Sequence, residues 1–288
     1  MEKIDWNFCQ NNSDLILSDG IMKLINCNSC MPNSIENDNS GNYLISYNNI
    51  PNYIGEAKNL KTRIRQQYRS STSTFYKNYL KNLPLGHSAI DINDYKVQYI
   101  ETSIGRKEIE DFGIVNLTTE LNKFQINKRV KCELKTHDHD IWYNIQKHKE
   151  EILSFGEDKI QTTVYTFWSK ITVRPISGIY LIENDKKIIY IGESSNLLER
   201  YKTHSSQTYF SALRRHIGTS ILNFTLKEKN GRKRYFNPNE DFEITKFINQ
   251  TKVIFLPVSF GRYELEEYLI KKYKPLLNRK GNSIKTQE

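Results

Sequence analysis

The chain has 288 residues, enough for one large or two ordinary domains, and 38% of them are apolar, so a core can form. A mean hydropathy of −0.65 and the lack of a long apolar run argue against a membrane span, and the start, MEKIDWNFCQ, lacks the apolar stretch of a signal peptide, so we expect a cytoplasmic protein. The formal net charge of +9 favours a polyanionic partner, most simply nucleic acid.

The first predicted element is a β-hairpin in residues 41–55, GNYLISYNNIPNYIG. Apolar and aromatic residues alternate on both sides of a polar break, with Pro51 in the turn, as is typical of two paired strands. A helix is predicted to begin after Asn59, whose side chain suits an N-cap. Residues 96–122 then indicate a strand and a helix, which Gly113 is expected to interrupt.

Residues 137–155, HDHDIWYNIQKHKEEILSF, predict one helix further along the chain. Ile141, Ile145 and Ile152 have the spacing of one buried helical face. The helix either joins two modules or takes part in recognition of a partner, and both interpretations stay open.

A second hairpin is predicted at residues 178–192, GIYLIENDKKIIYIG, with its polar break at Asn184–Lys187. Asn196, with a glutamate three positions later, resembles a capping box that starts a helix. Residues 251–258 predict a third strand, and Arg262–Lys274 predict a helix that a proline ends. The expected fold class is α+β, with small antiparallel sheets flanked by helices.

The two hairpin regions are copies of one pattern. Arg200 follows Arg63 by 137 residues (200 − 63), and the two hairpins keep the same offset. A later pair of blocks, KVQYIETSIGRKEIEDFGIVNLTTELN from Lys96 and KVIFLPVSFGRYELEEYLIKKYKPLLN from Lys252, is offset by 156 residues (252 − 96). The second copy therefore carries 19 extra residues (156 − 137) between its blocks.

This repeat predicts how the chain divides. The expected parts are residues 1–40 as an N-terminal extension, 41–122 as the first module, 123–172 as a helical or irregular connector, and 173–288 as the second module with a basic insertion at about residues 222–245.

Each copy contributes two tyrosines, an arginine, a glutamate and an asparagine from separate elements. A single carboxylate suits a hydrated Mg²⁺, and the planar guanidinium of arginine grips phosphate oxygens. A tyrosine becomes a better base where nearby cations favour its phenolate form. Such a set can bind a scissile phosphate, deprotonate water and stabilise the transition state, so it indicates metal-assisted hydrolysis of phosphodiester bonds.

These residues also carry a resemblance to a family. The second copy resembles the GIY-YIG nuclease superfamily, which includes repair nucleases, homing endonucleases and type II restriction enzymes. The residues that carry the resemblance are Gly178-Ile179-Tyr180, Tyr190-Ile191-Gly192, Arg200, Glu266 and Asn278. It implies two GIY-YIG-like modules in the chain, each with a three-stranded antiparallel sheet flanked by helices.

The resemblance further implies a role for each residue. Tyr180 would act as general base or position the water, and Tyr190 would support it. Arg200 would bind phosphate, Glu266 would hold the metal ion, and Asn278 would order the site.

A histidine and a glutamine distinguish the two copies. His204 lies four residues after Arg200 and matches a histidine of a restriction-enzyme branch, so we expect it to hydrogen-bond Tyr180 or the leaving group. The first copy has Gln67 at this position and departs again at Asn42, where the family has an apolar residue. It retains Gly41, Tyr43, Tyr53, Gly55, Arg63, Glu110 and Asn122.

These retained residues and Gln67 predict a second catalytic site, with Glu110 as its metal ligand. The expected cofactor is one Mg²⁺ per active module, which Mn²⁺ can replace. In the insertion, Lys229, Arg232, Lys233 and Arg234 either form a solvated basic loop or reach DNA phosphates or a groove.

Cys27 and Cys30 form a CxxC pair that could begin a zinc site with His137 and His139. The histidine spacing is awkward and no second CxxC follows, so ordinary free thiols are the competing interpretation.

Two modules in one chain allow a nuclease to cut both strands of a duplex without a second subunit. We therefore expect a Mg²⁺-dependent, sequence-specific DNA endonuclease of the type II restriction kind. It would act as a monomer on double-stranded DNA, one module per strand, with no obligatory protein partner and no membrane. The alternatives are a repair or mobile-element endonuclease, a non-catalytic DNA-binding protein, and a structural protein built on a duplicated fold.

Overall fold

The structure, a computed structural model, describes residues 4–69, 73–81, 91–122, 131–134, 140–229 and 231–278. The chain divides into two compact units, Met1–Ile152 and Leu153–Glu288. Antiparallel sheets and helices occur in both units, so the predicted α+β class is confirmed. None of the helices in the described ranges has both the length and the apolar character that a membrane span requires.

The first unit is built on a three-stranded antiparallel sheet with the order β2-β1-β3. Its strands and helices are, in chain order, α1 (Trp6–Asn11), α2 (Ser13–Asn26), β1 (Gly41–Tyr47), β2 (Ile50–Ala57), α3 (Leu60–Arg69), α4 (Thr74–Lys81), β3 (Lys96–Glu101), α5 (Arg106–Asn116) and α6 (Ile141–Lys147), and α7 (Lys149–Gln161) crosses the boundary between the units.

The predicted hairpin of the first unit is confirmed, but its turn lies elsewhere. Asn48 and Asn49 have positive φ angles of 49° and 62°, so the strands are joined by these two residues, as in the tight turns that favour asparagine. Placing Pro51 in the turn was wrong, because this residue lies in β2 opposite Ser46. The sheet accepts it because β2 is an edge strand and the register shifts between Ile45 and Ser46.

Residues expected to form an N-terminal extension belong to the core of the first unit. Helix α2 buries Ile16, Leu17, Ile21 and Leu24 along one face, and this helical spacing is visible in the sequence. The described part of the segment therefore helps to cover the sheet.

Gly113 does not interrupt α5, which runs through it to Asn116. A Cβ atom at this position would lie 2.4 Å from Cδ1 of Ile54 and 2.9 Å from Cδ1 of Ile21. Close packing of α5 against its neighbours therefore explains this glycine better than a helix break does.

The single helix expected in residues 137–155 was also wrong. Residues 135–139 lie outside the described part of the chain, and the rest forms α6 and α7, which meet at His148. Trp142 of α6 is fully buried in the first unit, and its backbone N–H donates to Asp19 Oδ2 at 3.0 Å.

The second unit repeats the central hairpin and adds elements around it. Its sheet has the order β4-β9-β5-β6, and a separate hairpin joins β7 to β8. The elements are β4 (Thr166–Phe167), β5 (Gly178–Asn184), β6 (Lys187–Ser194), α8 (Leu197–Ser206), α9 (Ala212–Ser220), β7 (Lys227–Lys229), β8 (Arg232–Tyr235), α10 (Pro238–Gln250), β9 (Lys252–Pro257) and α11 (Arg262–Tyr273).

A fourth strand distinguishes this sheet from the three-stranded one that was expected. The two-residue strand β4 pairs with β9, Thr166 opposite Val253. The fully buried Trp168 follows directly and packs in the core of the second unit. Part of the expected connector therefore belongs to the sheet and to the core of the second unit. A strand of two residues is too short for its periodicity to be recognised in the sequence.

The predicted second hairpin is confirmed, and its register repeats that of the first. Tyr180 lies opposite Gly192, as Tyr43 lies opposite Gly55. Its turn also repeats the first, because Asp185 and Lys186 have φ angles of 49° and 61°.

The predicted helix starts are confirmed as well. The side chain of Asn196 accepts a hydrogen bond from the Glu199 backbone at 3.1 Å, and that of Asn59 accepts one from the Thr62 backbone at 2.8 Å.

Candidate active site

The two tyrosines of the second unit are brought together by the hairpin register. A Cβ atom at Gly192 would lie 2.3 Å from the hydroxyl oxygen of Tyr180, so the glycine leaves room for the phenol to lie across β6. Tyr180 is only 2% exposed, and its ring centre stands 6.0 Å from that of Tyr190. The glycine and the tyrosines of the motif thus depend on one another, because the phenol of Tyr180 occupies the space that a side chain at Gly192 would need.

Helix α8 places a histidine on the phenol. His204 Nε2 lies 2.7 Å from the Tyr180 hydroxyl, and Nδ1 lies 2.7 Å from Ser211 Oγ. Burial, followed by the positive charges of Arg200 and Arg214, lowers the pKa of His204 well below its usual value. The imidazole is therefore neutral and presents one acceptor nitrogen to this chain of hydroxyl groups.

Tyr180 keeps its proton in the free protein. Burial raises the pKa of its phenol well above 10, and Tyr190 and Glu266 act in the same direction, while Arg200 opposes them. Among the described residues, His204 Nε2 lies within hydrogen-bond distance of this hydroxyl, and in the tautomer with its proton on Nδ1 this nitrogen can accept the phenolic proton. A role for Tyr180 as base therefore depends on proton transfer to this histidine.

Arg200 lies one helical turn before His204 and faces the same site. Its charge acts on the pKa values of Tyr180, Tyr190 and Glu266. Its Nε atom is buried and has no hydrogen-bond partner in the described part of the chain. An unpartnered guanidinium N–H beside a phenol and a carboxyl group suits an anionic ligand such as a phosphate.

Glu266 of α11 completes the group. Its Oε1 accepts a hydrogen bond from the Glu193 backbone at 3.2 Å. Burial, and then the charge of Glu193, raise the pKa of Glu266 to about 8. A half-buried carboxyl group beside a second carboxylate gains most from a bound cation, and Mg²⁺ needs few protein oxygens. The residues present therefore fit a divalent metal ion at Glu266.

Asn278 acts on the backbone. Its Oδ1 accepts from Ile191 N at 2.9 Å and its Nδ2 donates to Ile191 O at 2.7 Å. Ile191 lies between Tyr190 and Gly192, so these two hydrogen bonds fix the central residue of the Tyr-Ile-Gly motif in β6.

Comparison with known families agrees with this geometry. Residues 163–288 match the family model of the GIY-YIG catalytic domain. The match lies in the second unit. A GIY-YIG catalytic domain indicates a nuclease, which is a hydrolase that acts on DNA. Comparisons with curated proteins and with solved structures returned no match.

All the described site residues of the second unit lie inside the matched GIY-YIG domain, whereas the first unit lies outside the match. The first unit nevertheless has the same tyrosine pair. Tyr43 is fully buried, its ring centre is 6.3 Å from that of Tyr53, and a Cβ atom at Gly55 would lie 2.3 Å from its hydroxyl oxygen. The charge of Arg63 acts on the pKa of Tyr43, as that of Arg200 acts on the pKa of Tyr180.

Gln67 gives the first tyrosine a different partner from the one in the GIY-YIG domain. Gln67 Nε2 donates to the Tyr43 hydroxyl at 2.8 Å, while Gln67 Oε1 accepts from Phe75 N at 3.1 Å. The amide oxygen is thus held by the backbone, and the group that faces the phenol is a donor. Unlike a neutral imidazole, this amide cannot take the phenolic proton.

The two asparagines of the first unit that the sequence analysis singled out, Asn42 and Asn122, form hydrogen bonds with the backbone. Asn122 bonds both Ile54 N and Ile54 O, at 2.8 and 2.9 Å, which repeats the role of Asn278. Asn42 is fully buried, and its Nδ2 donates to Arg106 O at 2.9 Å. The asparagine that stands here in place of an apolar residue therefore links β1 to α5 by a hydrogen bond.

Glu110 does not repeat the environment of Glu266. The Lys107 ammonium lies 3.4 Å from Glu110 Oε2 and 3.1 Å from Glu56 Oε1. Burial raises the pKa of Glu110 to about 7, and Lys107 opposes that rise. Because a lysine already neutralises this carboxyl group, the residues present do not fit a second divalent metal ion.

The basic insertion forms the hairpin of β7 and β8 beside the site. Arg232 Nη1 donates to the Tyr209 hydroxyl at 3.0 Å, and the Arg234 guanidinium lies 5.5 Å from the centre of the Tyr209 ring. Lys233 is exposed, and the side chain of Lys229 lies outside the described part of the structure. This insertion is therefore a folded hairpin, and its arginines pack on an aromatic residue.

Sequence reasoning missed three residues that link the site to its surroundings. Ser211 holds His204, and Arg262 Nε holds Glu193 at 2.9 Å. Burial and the charge of Arg234 lower the pKa of Arg215, and Tyr190 opposes this, so Arg215 interacts electrostatically with both the hairpin and the site. Arg262 repeats Arg106 of the first copy, a signal that could have been used.

The zinc interpretation gains no support from the described residues. Cys27 and Cys30 are free thiols, and His137 and His139 lie outside the described part of the chain. Within that part, no group of three or more histidine, cysteine, aspartate or glutamate side chains is placed to hold a metal ion.

Proposed function

We propose that the protein is a Mg²⁺-dependent, sequence-specific DNA endonuclease of the type II restriction kind, which acts as a cytoplasmic monomer and accepts Mn²⁺ in place of Mg²⁺. The observation that carries the proposal is the convergence of Tyr180, His204, Arg200 and Glu266 inside the matched GIY-YIG domain.

The chemistry begins with binding of the scissile phosphate. Arg200 would take its oxygens with the buried Nε that has no protein partner among the described residues. Arg215 and the arginines of the β7–β8 hairpin would contact neighbouring phosphates, because several positive side chains stand close together there.

Attack on phosphorus requires removal of a proton from water. The Tyr180 hydroxyl would orient the water and accept its proton, while the phenolic proton passes to His204 Nε2 at 2.7 Å. Asn278 keeps β6 in register so that Tyr190 supports the ring of Tyr180. Mg²⁺ held by Glu266 would supply positive charge to the phosphate and to the leaving oxygen.

The repeated hairpin and Asn122 support a second, GIY-YIG-like module in the first unit. Two such modules in one chain allow each to engage one strand of a duplex. Because the Lys107 ammonium lies 3.4 Å from the Glu110 carboxyl group, we place the metal-dependent cut in the second unit alone. One molecule then cuts one strand each time it binds, and cleavage of both strands at a site takes two binding events.

The experiment is digestion of a supercoiled plasmid with the full chain in Mg²⁺, followed by sequencing of the ends. Cuts at one short sequence that disappear in EDTA and in the Glu266→Gln variant support the proposal. Tight DNA binding without cleavage in Mg²⁺ or Mn²⁺ would contradict it and favour a DNA-binding protein. Cuts without sequence preference would contradict sequence specificity and favour a repair enzyme.

A further inference from the structure

The equivalent glutamates of the two units, Glu110 and Glu266, have different charged neighbours, and the difference arises from one position of the repeat. Lys107 of the first unit and Tyr263 of the second occupy the same place in the repeat (263 − 107 = 156). Both follow an arginine that reaches the glutamate on the second strand of the hairpin. Arg106 lies 3.6 Å from Glu56, and Arg262 lies 2.9 Å from Glu193.

Both units share this ion pair between an arginine and a glutamate, and in the first unit Lys107 adds a second positive charge beside it. Its ammonium is shared between Glu56 and Glu110, and its side chain is 31% exposed, so it is partly removed from water. Within the described residues, Glu266 has no lysine or arginine within 4.0 Å.

We propose that the Lys107 ammonium occupies the place that the metal ion takes at Glu266, so that the first unit binds DNA phosphate without a metal ion and the chain holds one divalent cation. This inference rests on the proposed metal site of the second unit. It also answers what the first site is for, namely holding one strand while the GIY-YIG domain cuts the other.

Two observations argue against metal-assisted hydrolysis at the first site. A divalent ion placed on Glu110 would repel an ammonium that already sits 3.4 Å from the same carboxyl group, and Mg²⁺ does not accept a crowded, distorted site. Separately, Gln67 presents an N–H donor to Tyr43, so the side chain that stands where His204 stands in the second unit cannot take up the phenolic proton. The first site thus has a lysine at its glutamate and an amide in place of the imidazole, while it keeps Arg63.

The test counts bound Mn²⁺ on the full chain by electron paramagnetic resonance of the free ion. The wild-type chain is expected to bind one Mn²⁺, and Glu266→Gln is expected to bind none. Adding Lys107→Tyr to Glu266→Gln, which installs the residue type of the second unit, is expected to create one Mn²⁺ site. Lys107→Met in the same background removes the charge but keeps a flexible stem, and is expected to do the same.

Thermal unfolding of each variant confirms that it is folded before its ions are counted. The inference is overturned if Glu266→Gln still binds one Mn²⁺ that a further Glu110→Gln removes. It is also overturned if neither folded Lys107 variant gains an ion. A wild-type chain that binds no Mn²⁺, or an ion that survives both glutamate changes, would instead refute the metal site proposed at Glu266.

Discussion

The substitution Gly192→Ala adds one methyl group where the buried phenol of Tyr180 crosses β6. The new Cβ would lie 2.3 Å from the Tyr180 hydroxyl oxygen, whereas ordinary contacts of this kind start at 3.4 Å. The phenol must therefore retreat by about 1.1 Å (3.4 − 2.3). A shift of that size either breaks the 2.7 Å contact with His204 or forces the ring against the imidazole.

Two magnitudes follow from this displacement. Overpacking of a buried ring costs on the order of 1–3 kcal/mol of the free energy of unfolding. Misplacement of a reacting group by about 1 Å costs roughly 100-fold in rate. We therefore expect Gly192→Ala to fold with reduced stability and to cleave DNA about 100-fold more slowly at saturating enzyme.

Gly55→Ala provides a matched control, because its Cβ would also lie 2.3 Å from a tyrosine hydroxyl, that of Tyr43. It should lose comparable stability while the single-turnover rate changes little. Plasmid cleavage and denaturant unfolding measure both effects. A wild-type cleavage rate in Gly192→Ala would refute the reasoning about Tyr180, and an equal loss of rate in Gly55→Ala would refute the assignment of cleavage to the second unit.

Three other changes test other parts of the site. His204→Gln copies the partner of Tyr43, so single-turnover cleavage should fall by about 100-fold or more while the affinity for DNA is kept. Asn278→Ala leaves the buried N–H and C=O groups of Ile191 without their partner, so the free energy of unfolding, measured with denaturant, should fall by about 2–3 kcal/mol. Because the pKa of Glu266 is raised to about 8, protons compete with Mn²⁺ below that pH, and the binding constant from calorimetry should fall about tenfold per pH unit between pH 8 and pH 6.

Each of these expectations has an outcome that contradicts it. A glutamine variant that cleaves at the wild-type rate would show that His204 takes no proton from Tyr180. A loss of stability below about 0.5 kcal/mol in Asn278→Ala would mean that water replaces the amide. Mn²⁺ affinity that stays constant from pH 6 to pH 8 would mean that Glu266 is ionised throughout this range or is no ligand.

The elements that depend on neighbours in the chain were predictable. Alternation of apolar residues marked both hairpins, and asparagines marked the helix starts, because a turn or a cap is completed within a few residues. The failures followed the same logic. A two-residue strand such as β4 has no period to detect, and the packing that requires Gly113 comes from Ile54 and Ile21, far away in sequence.

The sequence by itself determined the duplicated pattern, the residue types of both sites and the spacing that brings each arginine onto the helix after its hairpin. Only the tertiary structure decided what surrounds them. The pairing of Lys107 with Glu56 and Glu110 joins β2 to α5, and the contact of His204 with Tyr180 joins α8 to β5. Charge neutralisation and proton transfer act through space over about 3 Å, so they are set by how elements pack and not by the order of residues along the chain.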